Sequence, residues 1–309
     1  MSFALEVKND LIKINNQSVL KLEIEAMLRF AGEVIISRPF RIEFNSNNLS
    51  IVRYLITILK KYYQFEYDIE SRNISRFDNH TTYKAIIKDG ADLIIKDLNL
   101  IGSESEYKKD MLNDEAKVIS YLKGAFLAKG TVNDPAKKNS HLEIVSIDNE
   151  EILFIQKCMN YFEINARITK RKNYLVCYIK SQESIGDFLY RIGATSSMNY
   201  YENTIITKEI AASAKRSINL DIANQDKTNH AAKEQLKYIE YLTYNYPLEK
   251  LDSKLLMVMK VRSEHPEHSL TQLLDIIHDE YDPNLSKSGL NHRLRRLKEL
   301  ALEYKNGSK

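Results

Sequence analysis

Tryptophan is absent from this chain, and cysteine occurs only twice in 309 residues, as Cys158 and Cys177. Two cysteines can form one disulfide. With apolar neighbours and no export signal, they read more simply as buried thiols of a cytosolic protein. Also missing is any run near the roughly 18 consecutive apolar residues of a membrane-spanning helix, so no membrane partner is expected. The opening MSFALEVKNDLIKI places Glu6, Lys8 and Asp10 where a signal peptide needs an unbroken apolar core, and it reads as a helix. An excess of one charge is lacking too: 45 Lys and Arg against 42 Asp and Glu leave a net charge of +3. That total does not mark a nucleic-acid binder, so the placement of the basic residues carries the information. Hydrophobic residues, by contrast, make up an ordinary 43%. This excludes a wholly disordered chain, and the length suits two or three domains.

Nine glycines and five prolines give little punctuation, so periodicity does the segmentation. Leu20, Ile24, Met27, Leu28 and Ala31 fall on one helical face that Gly32 ends. Val118, Tyr121, Leu122, Ala125 and Phe126 repeat the device, closed by Gly130. After each comes a similar sequel. Phe40, Ile42 and Phe44 alternate as in a strand, as do Leu142 and Ile144 beyond a turn at Pro135; residues 49–65 and 149–164 are then helical in pattern. Strand-like segments follow at 67–69 with 82–87 and at 166–168 with 174–179, and further helices near 91–100 and 185–192 close the units. The expected fold class is α+β, a duplicated αββαββα domain with halves at 1–104 and 105–200.

Two segments of these helices carry a motif. LKGAFLAKG, residues 122–130, resembles the nine-residue LAGLIDADG motif of homing endonucleases at Leu122, Gly124, Ala128 and Gly130. IEAMLRFAG, residues 24–32, keeps Ala26 and Gly32. Gly124 and Ala128 share a helical face and would let two helix backbones approach closely. The resemblance implies a saddle of two sheets laid along duplex DNA. It also implies an acidic residue at the eighth position of each motif to hold catalytic metals. Those positions are Ala31 and Lys129, so no enzymatic activity and no catalytic residue is expected. Glu33 lies near, but its counterpart is Thr131 or Val132. Lys123, Lys129, Lys137, Lys138, Arg167, Lys170, Arg171 and Lys172 make the second half the more basic one. Lysines in turns are often only solvated; the alternative is a phosphate-facing rim and a second DNA contact.

Residues 201–248 are polar and helix-compatible, with an expected break at 224–227, and read as a linker or arm. Residues 249–309 read as three short helices. The first stops before Pro266. Ser269 and Gln272 form a capping box for the second, and the turn 282–284 ends it. Ser286 caps the third, whose buried face is Leu290, Leu294, Leu297 and Ala301. Six basic residues against Glu299 and Glu303 make this third helix a recognition-helix candidate. Ser286, Lys287, Ser288, Asn291 and His292 are placed to reach base edges, and Arg293, Arg295 and Arg296 to meet phosphates. The bland alternative is a solvated basic face. His265, His268, His278 and His292 have no ligand spacing that suits a metal, and no cofactor is expected.

SFALEVKNDL, YLKGAFLAKGTVNDP, SINLDIANQDKTNHAAKEQL and the final SLTQLLDII with LSKSGLNHRLRRLKELA together resemble the WhiA family of bacterial regulators across essentially the whole chain. The resemblance implies a degenerate LAGLIDADG domain joined to a sigma-factor-like, all-α helix-turn-helix. It further implies a non-enzymatic, DNA-binding role in cell division, chromosome segregation or sporulation transcription. The expected partner is double-stranded DNA in the cytoplasm, at the nucleoid. RNA polymerase or its sigma factor is an alternative partner for the sigma-like module, and an active endonuclease is a third reading. The duplicated halves form a pseudo-dimer within one chain, so a monomer suffices.

Overall fold

The computed structural model describes residues 2–13, 21–74, 80–101, 108 and 110–307, and they divide into two compact units, 1–209 and 210–309. Leu20 of the first helical pattern and the boundary expected at 104/105 lie outside the described residues.

The first unit begins with α1 (Phe3–Lys13), which buries Phe3, Val7 and Leu11 on one face. Then α2 (Lys21–Ala31), β1 (Gly32–Ile35), β2 (Arg41–Ser46), α3 (Leu49–Leu59), β3 (Tyr67–Ile74), β4 (His80–Ile87) and α4 (Ala91–Asp97) form the first repeat. The second comprises α5 (Glu115–Lys129), β5 (Gly130–Val132), β6 (Leu142–Ser146), α6 (Asn149–Tyr161), β7 (Arg167–Arg171), β8 (Tyr174–Ile179) and α7 (Gln182–Arg191). Each repeat builds an antiparallel sheet, in order β1-β2-β4-β3 and β5-β6-β8-β7.

Register makes the duplication plain. Gly32 faces Phe44 and Gly130 faces Ile144; Ile42 faces Ile87 and Leu142 faces Ile179. The strand-to-helix corner is repeated atom for atom. Ser46 Oγ accepts from the Asn48 amide at 3.2 Å and Ser146 Oγ from the Asp148 amide at 3.0 Å. Asn48 and Asp148 then cap α3 and α6 by accepting from the amides of Ser50 and Glu150. The odd positions of β2 and β6 stay open to solvent while Ile42, Phe44, Leu142 and Ile144 are buried under the helices.

The core is closed by α2 packing against α5. A Cβ at Gly124 would stand 2.3 Å from the Glu23 carbonyl oxygen and 2.9 Å from Ala26 Cβ, so the two backbones meet where only glycine fits. Charged groups line this seam and are paired: Lys123 with Glu23 at 3.2 Å, Arg29 with Glu25 at 2.8 Å, and Lys108 with Glu151 at 2.7 Å. Tyr54 adds a hydrogen bond to Glu23 at 2.6 Å, and Tyr121 donates to Glu151. Burial holds the Glu25 carboxyl above its ordinary range, with Arg29 opposing that shift. Cys158 and Cys177 are free thiols in the same core, and burial pushes the Cys177 thiol up to about 12.

The break expected at 224–227 is absent: α8 is helical from Thr195 to Asn245. The reason is compositional. No glycine or proline occurs between Gly193 and Pro247. The modest propensity cost of Asn and Asp does not by itself stop a helix. Met198, Tyr201 and Ile205 belong to the core of the first unit, and Ile239 and Leu242 to that of the second.

The second unit adds α9 (Ser253–Glu264), α10 (Leu270–Glu280) and α11 (Lys287–Gly307). Leu251, Val258, Met259, Leu273, Ile277, Leu290, Leu294 and Leu297 form its core. The capping box of Ser269 and Gln272 is present, and Ser286 Oγ accepts from the Gly289 amide at 3.0 Å at the start of α11. Among the described residues no helix is long and apolar enough to cross a membrane.

Candidate nucleic-acid interface

The turns around α10 are fixed by side chains, and this decides what α11 presents. Arg262, only 2% exposed, donates to the His268 carbonyl at 2.7 Å and ties down the α9–α10 turn. His278 Nε2 lies 2.7 Å from the Leu285 carbonyl across the α10–α11 turn. With Leu290, Leu294, Leu297 and Ala301 buried, the 100° step of a helix turns Ser288, His292, Arg295, Arg296, Glu299 and Glu303 outward.

The predicted residues separate on this frame. Ser286 caps the helix, and Lys287 donates to Thr271 Oγ1 at 2.9 Å, both remaining exposed. Ser288 and His292 are exposed in the first turns. Asn291 and Arg295 border a cleft of about 290 Å³ with Glu234, Gln235 and Tyr238 of α8. Arg293 is different: its side chain is 16% exposed and its Nη2 lies 3.5 Å from Asp282, so it secures the preceding turn. Arg296 is exposed but held by Glu299 at 3.2 Å and Glu303 at 3.4 Å. The outward face is thus basic in its first half and mixed in its second.

The candidate second contact divides likewise. Lys123 does not reach the surface: it is buried against Glu23 and Tyr54, because the α2–α5 seam needs a counter-charge for Glu23. Lys129 is exposed at the end of α5. Lys137 and Lys138 are exposed in the β5–β6 loop, which Lys208 of α8 clasps by donating to the Pro135 and Lys137 carbonyls at 2.8 and 2.7 Å. Lys172 takes the left-handed turn position of the β7–β8 hairpin, with φ of 54°. Register sets Arg167 and Arg171 on the open sheet face with Tyr174 and Tyr178, whereas Lys170 falls opposite Leu175 on the other face. Arg171 also meets Glu143 at 3.1 Å. The tyrosines were not singled out in the sequence, although strict alternation along β8 would have found them.

The same face of the first sheet has the opposite balance. Glu33, Glu43, Asp68 and Glu70 share it with Arg41, Arg72 and Lys84. Glu33 pairs with Glu43 as Thr131 pairs with Glu143, which identifies Thr131 as its counterpart. Ala31 is 8% exposed. No group of three or more His, Cys, Asp or Glu side chains among the described residues is placed to hold a metal ion.

Three family models cover this architecture: the WhiA N-terminal LAGLIDADG-like domain over residues 17–101, the WhiA LAGLIDADG-like domain over 118–211 and the WhiA C-terminal HTH domain over 214–301. A "probable cell division protein WhiA" of Enterococcus faecalis is 33% identical over 308 residues, 97% of each chain. One of the same name from Ligilactobacillus salivarius is 35% identical, covering 99% of this chain and 98% of its own. The crystal structure of full-length WhiA from Thermatoga maritima shares the fold with a TM-score of 0.60 at 23% identity, over 98% of both chains. The chain, with its paired LAGLIDADG-like repeats and its helix-turn-helix unit, belongs to the WhiA family.

Proposed function

We propose that this chain is a non-enzymatic, DNA-binding regulator of cell division and chromosome segregation, acting on transcription at the nucleoid through α11. The observation that carries the reading is the outward face of α11. A capped helix start offers Lys287, Ser288, Asn291 and His292 beside Arg295, in a three-helix unit whose turns are locked. The exposed Lys129, Lys137, Lys138, Arg171 and Lys172 supply a second, sequence-independent phosphate contact from the second repeat.

Loss of nuclease chemistry follows from the two eighth motif positions. Ala31 offers no ligand, and the ammonium of Lys129 repels a divalent metal. Absence of Mg²⁺-dependent plasmid cleavage is the expected result, and metal-dependent nicking overturns this part of the reading. DNA binding is tested by anisotropy of a labelled duplex over a salt series. Arg295→Ala is expected to weaken binding and to flatten the slope of log affinity against log salt by about one unit. Unchanged affinity and slope in both Arg295→Ala and Lys287→Ala overturn it.

The mixed-charge second half of α11, where Glu299 and Glu303 hold Arg296, favours a second reading. That half suits a protein partner such as RNA polymerase or its sigma factor. Capture of polymerase in nuclease-treated extract, lost on reversing Glu299 and Glu303, would support it.

A further inference from the structure

The duplication places a cleft at the end of each seam helix, and the two clefts have diverged in sign. At the end of α2, Glu33, Asp148 and Glu151 line one of about 220 Å³ with Arg29. At the end of α5 lies the other, of about 490 Å³, which holds Lys8, Lys129, Asn45, Asn47, Thr82 and Thr131 among its walls. No acidic side chain lines this second cleft among the described residues. The differences occur at equivalent positions: Asp148 of the acidic cleft corresponds to Asn48 beside the basic one, Glu33 to Thr131, and Ala31 to Lys129.

The two lysines are brought together by tertiary structure. Lys129 ends α5, while Lys8 comes from α1, a helix outside the repeats. Neither has an ion-pair partner among the described residues; Lys8 only stacks 5.9 Å above the Phe126 ring. Asn47 and Asn48, which precede the eleven-residue α3, and Ile51 in its first turn also line the cleft. A cavity with two uncompensated ammonium groups beside amide and hydroxyl side chains, and no carboxylate among its described walls, has the chemistry of a phosphate site.

We propose that the cleft between α1, the β2–α3 corner and the end of α5 binds a phosphate group, with Lys8 and Lys129 as its cationic pair. This goes beyond the reading of α11 and shares with the second-contact reading only Lys129. The Lys8 ammonium supports it. Desolvation first, and the charge of Lys129 second, bring its pKa down to about 8, the mark of a cation held without its counter-ion. A bound phosphate supplies that counter-ion and restores the charged form. The phosphate source is either a nucleic-acid backbone or a small phosphorylated ligand.

The test uses the full chain with pyrophosphate as probe at low salt, followed by lysine-selective NMR. The expected result is saturable shifts at Lys8 and Lys129, a rise in the Lys8 pKa, and about tenfold weaker binding in each of Lys8→Met and Lys129→Met. Lys61→Met, at an exposed lysine just past the end of α3, should bind as the parent does. Because Lys129 is exposed, its variant folds whatever happens at Lys8. Repeating the titration against a labelled 20-base-pair duplex separates the sources. Competition that depends on Lys129 assigns a backbone phosphate. Duplex affinity indifferent to both lysines, with pyrophosphate still bound, assigns a small ligand. Non-saturable shifts spread over all lysines, or unchanged affinity in both variants, overturn the proposal. That failure would leave the salt slope of Arg295→Ala untouched, so the two readings stand or fall separately.

Discussion

Adding one methyl group at Gly124 is expected to cost the first unit about 2–3 kcal/mol. The new Cβ would lie 2.3 Å from the Glu23 carbonyl oxygen, about 1.1 Å inside ordinary contact, and 2.9 Å from Ala26 Cβ. The closest atom is backbone, so no side-chain rotation relieves it; α2 and α5 must part. Parting them lengthens the Lys123–Glu23 pair from 3.2 Å where both side chains are buried. Against this, Ala gains about 1 kcal/mol over Gly in helix propensity. Overpacking at a rigid contact costs up to about 3 kcal/mol, and weakening of the buried pair adds to it, so the loss outweighs the gain. For a unit of this size, calorimetry should show its transition falling by roughly 5–10 °C while that of the second unit stays in place. Gly307→Ala is the control, since its Cβ meets nothing within 4 Å. An unchanged or raised transition in Gly124→Ala would refute the claim that glycine sets the helix approach.

Gly186→Ala should do the reverse. Its Cβ meets only the movable Glu202 Oε1 at 3.3 Å, so the helix gain of about 0.5–1 kcal/mol should appear as a raised melting temperature. Lys123→Ala should destabilise the first unit by about 3–5 kcal/mol in urea melts, because Glu23 is left buried without a counter-charge among the described residues, holding only the Tyr54 hydroxyl. Duplex affinity at low temperature should not change, in contrast to Lys129→Met. Stability should also rise with pH above 8 through Lys8. Its pKa is about 8 in the folded chain against an ordinary lysine's 10.5, so between these the unfolded chain binds more protons and folding gains as pH climbs. Lys8→Met should lack that rise and be more stable than the parent below pH 8, by about 1–3 kcal/mol; urea melts at pH 7 and pH 10 check both.

Several residues took roles that no local pattern reveals. Lys123 and Lys129 lie on one helix and look alike in sequence, yet one is sealed against Glu23 and the other is solvent-exposed. Their difference depends on which turn of α5 faces α2. Arg293 and Arg295 are separated in the same way: Asp282 draws one into the turn and the other stays exposed. The break expected in α8 is absent because Asn, Asp and Lys at 224–227 cost a helix little, whereas a glycine or proline there would have interrupted it.

Sequence by itself determined the order of elements, the duplication, the caps at Ser269 and Ser286, the buried stripe of α11 and the identity of the two eighth motif positions. These are encoded by periodicity, by side chains that bond to backbone within four residues, and by motif spacing, all short-range. Tertiary structure decided which charges are paired, which sheet face is basic, and that Lys8 stands with Lys129 in one cleft. Such facts depend on contacts between residues about 120 apart in the chain, and Coulomb energy and desolvation follow distance in space, not in sequence.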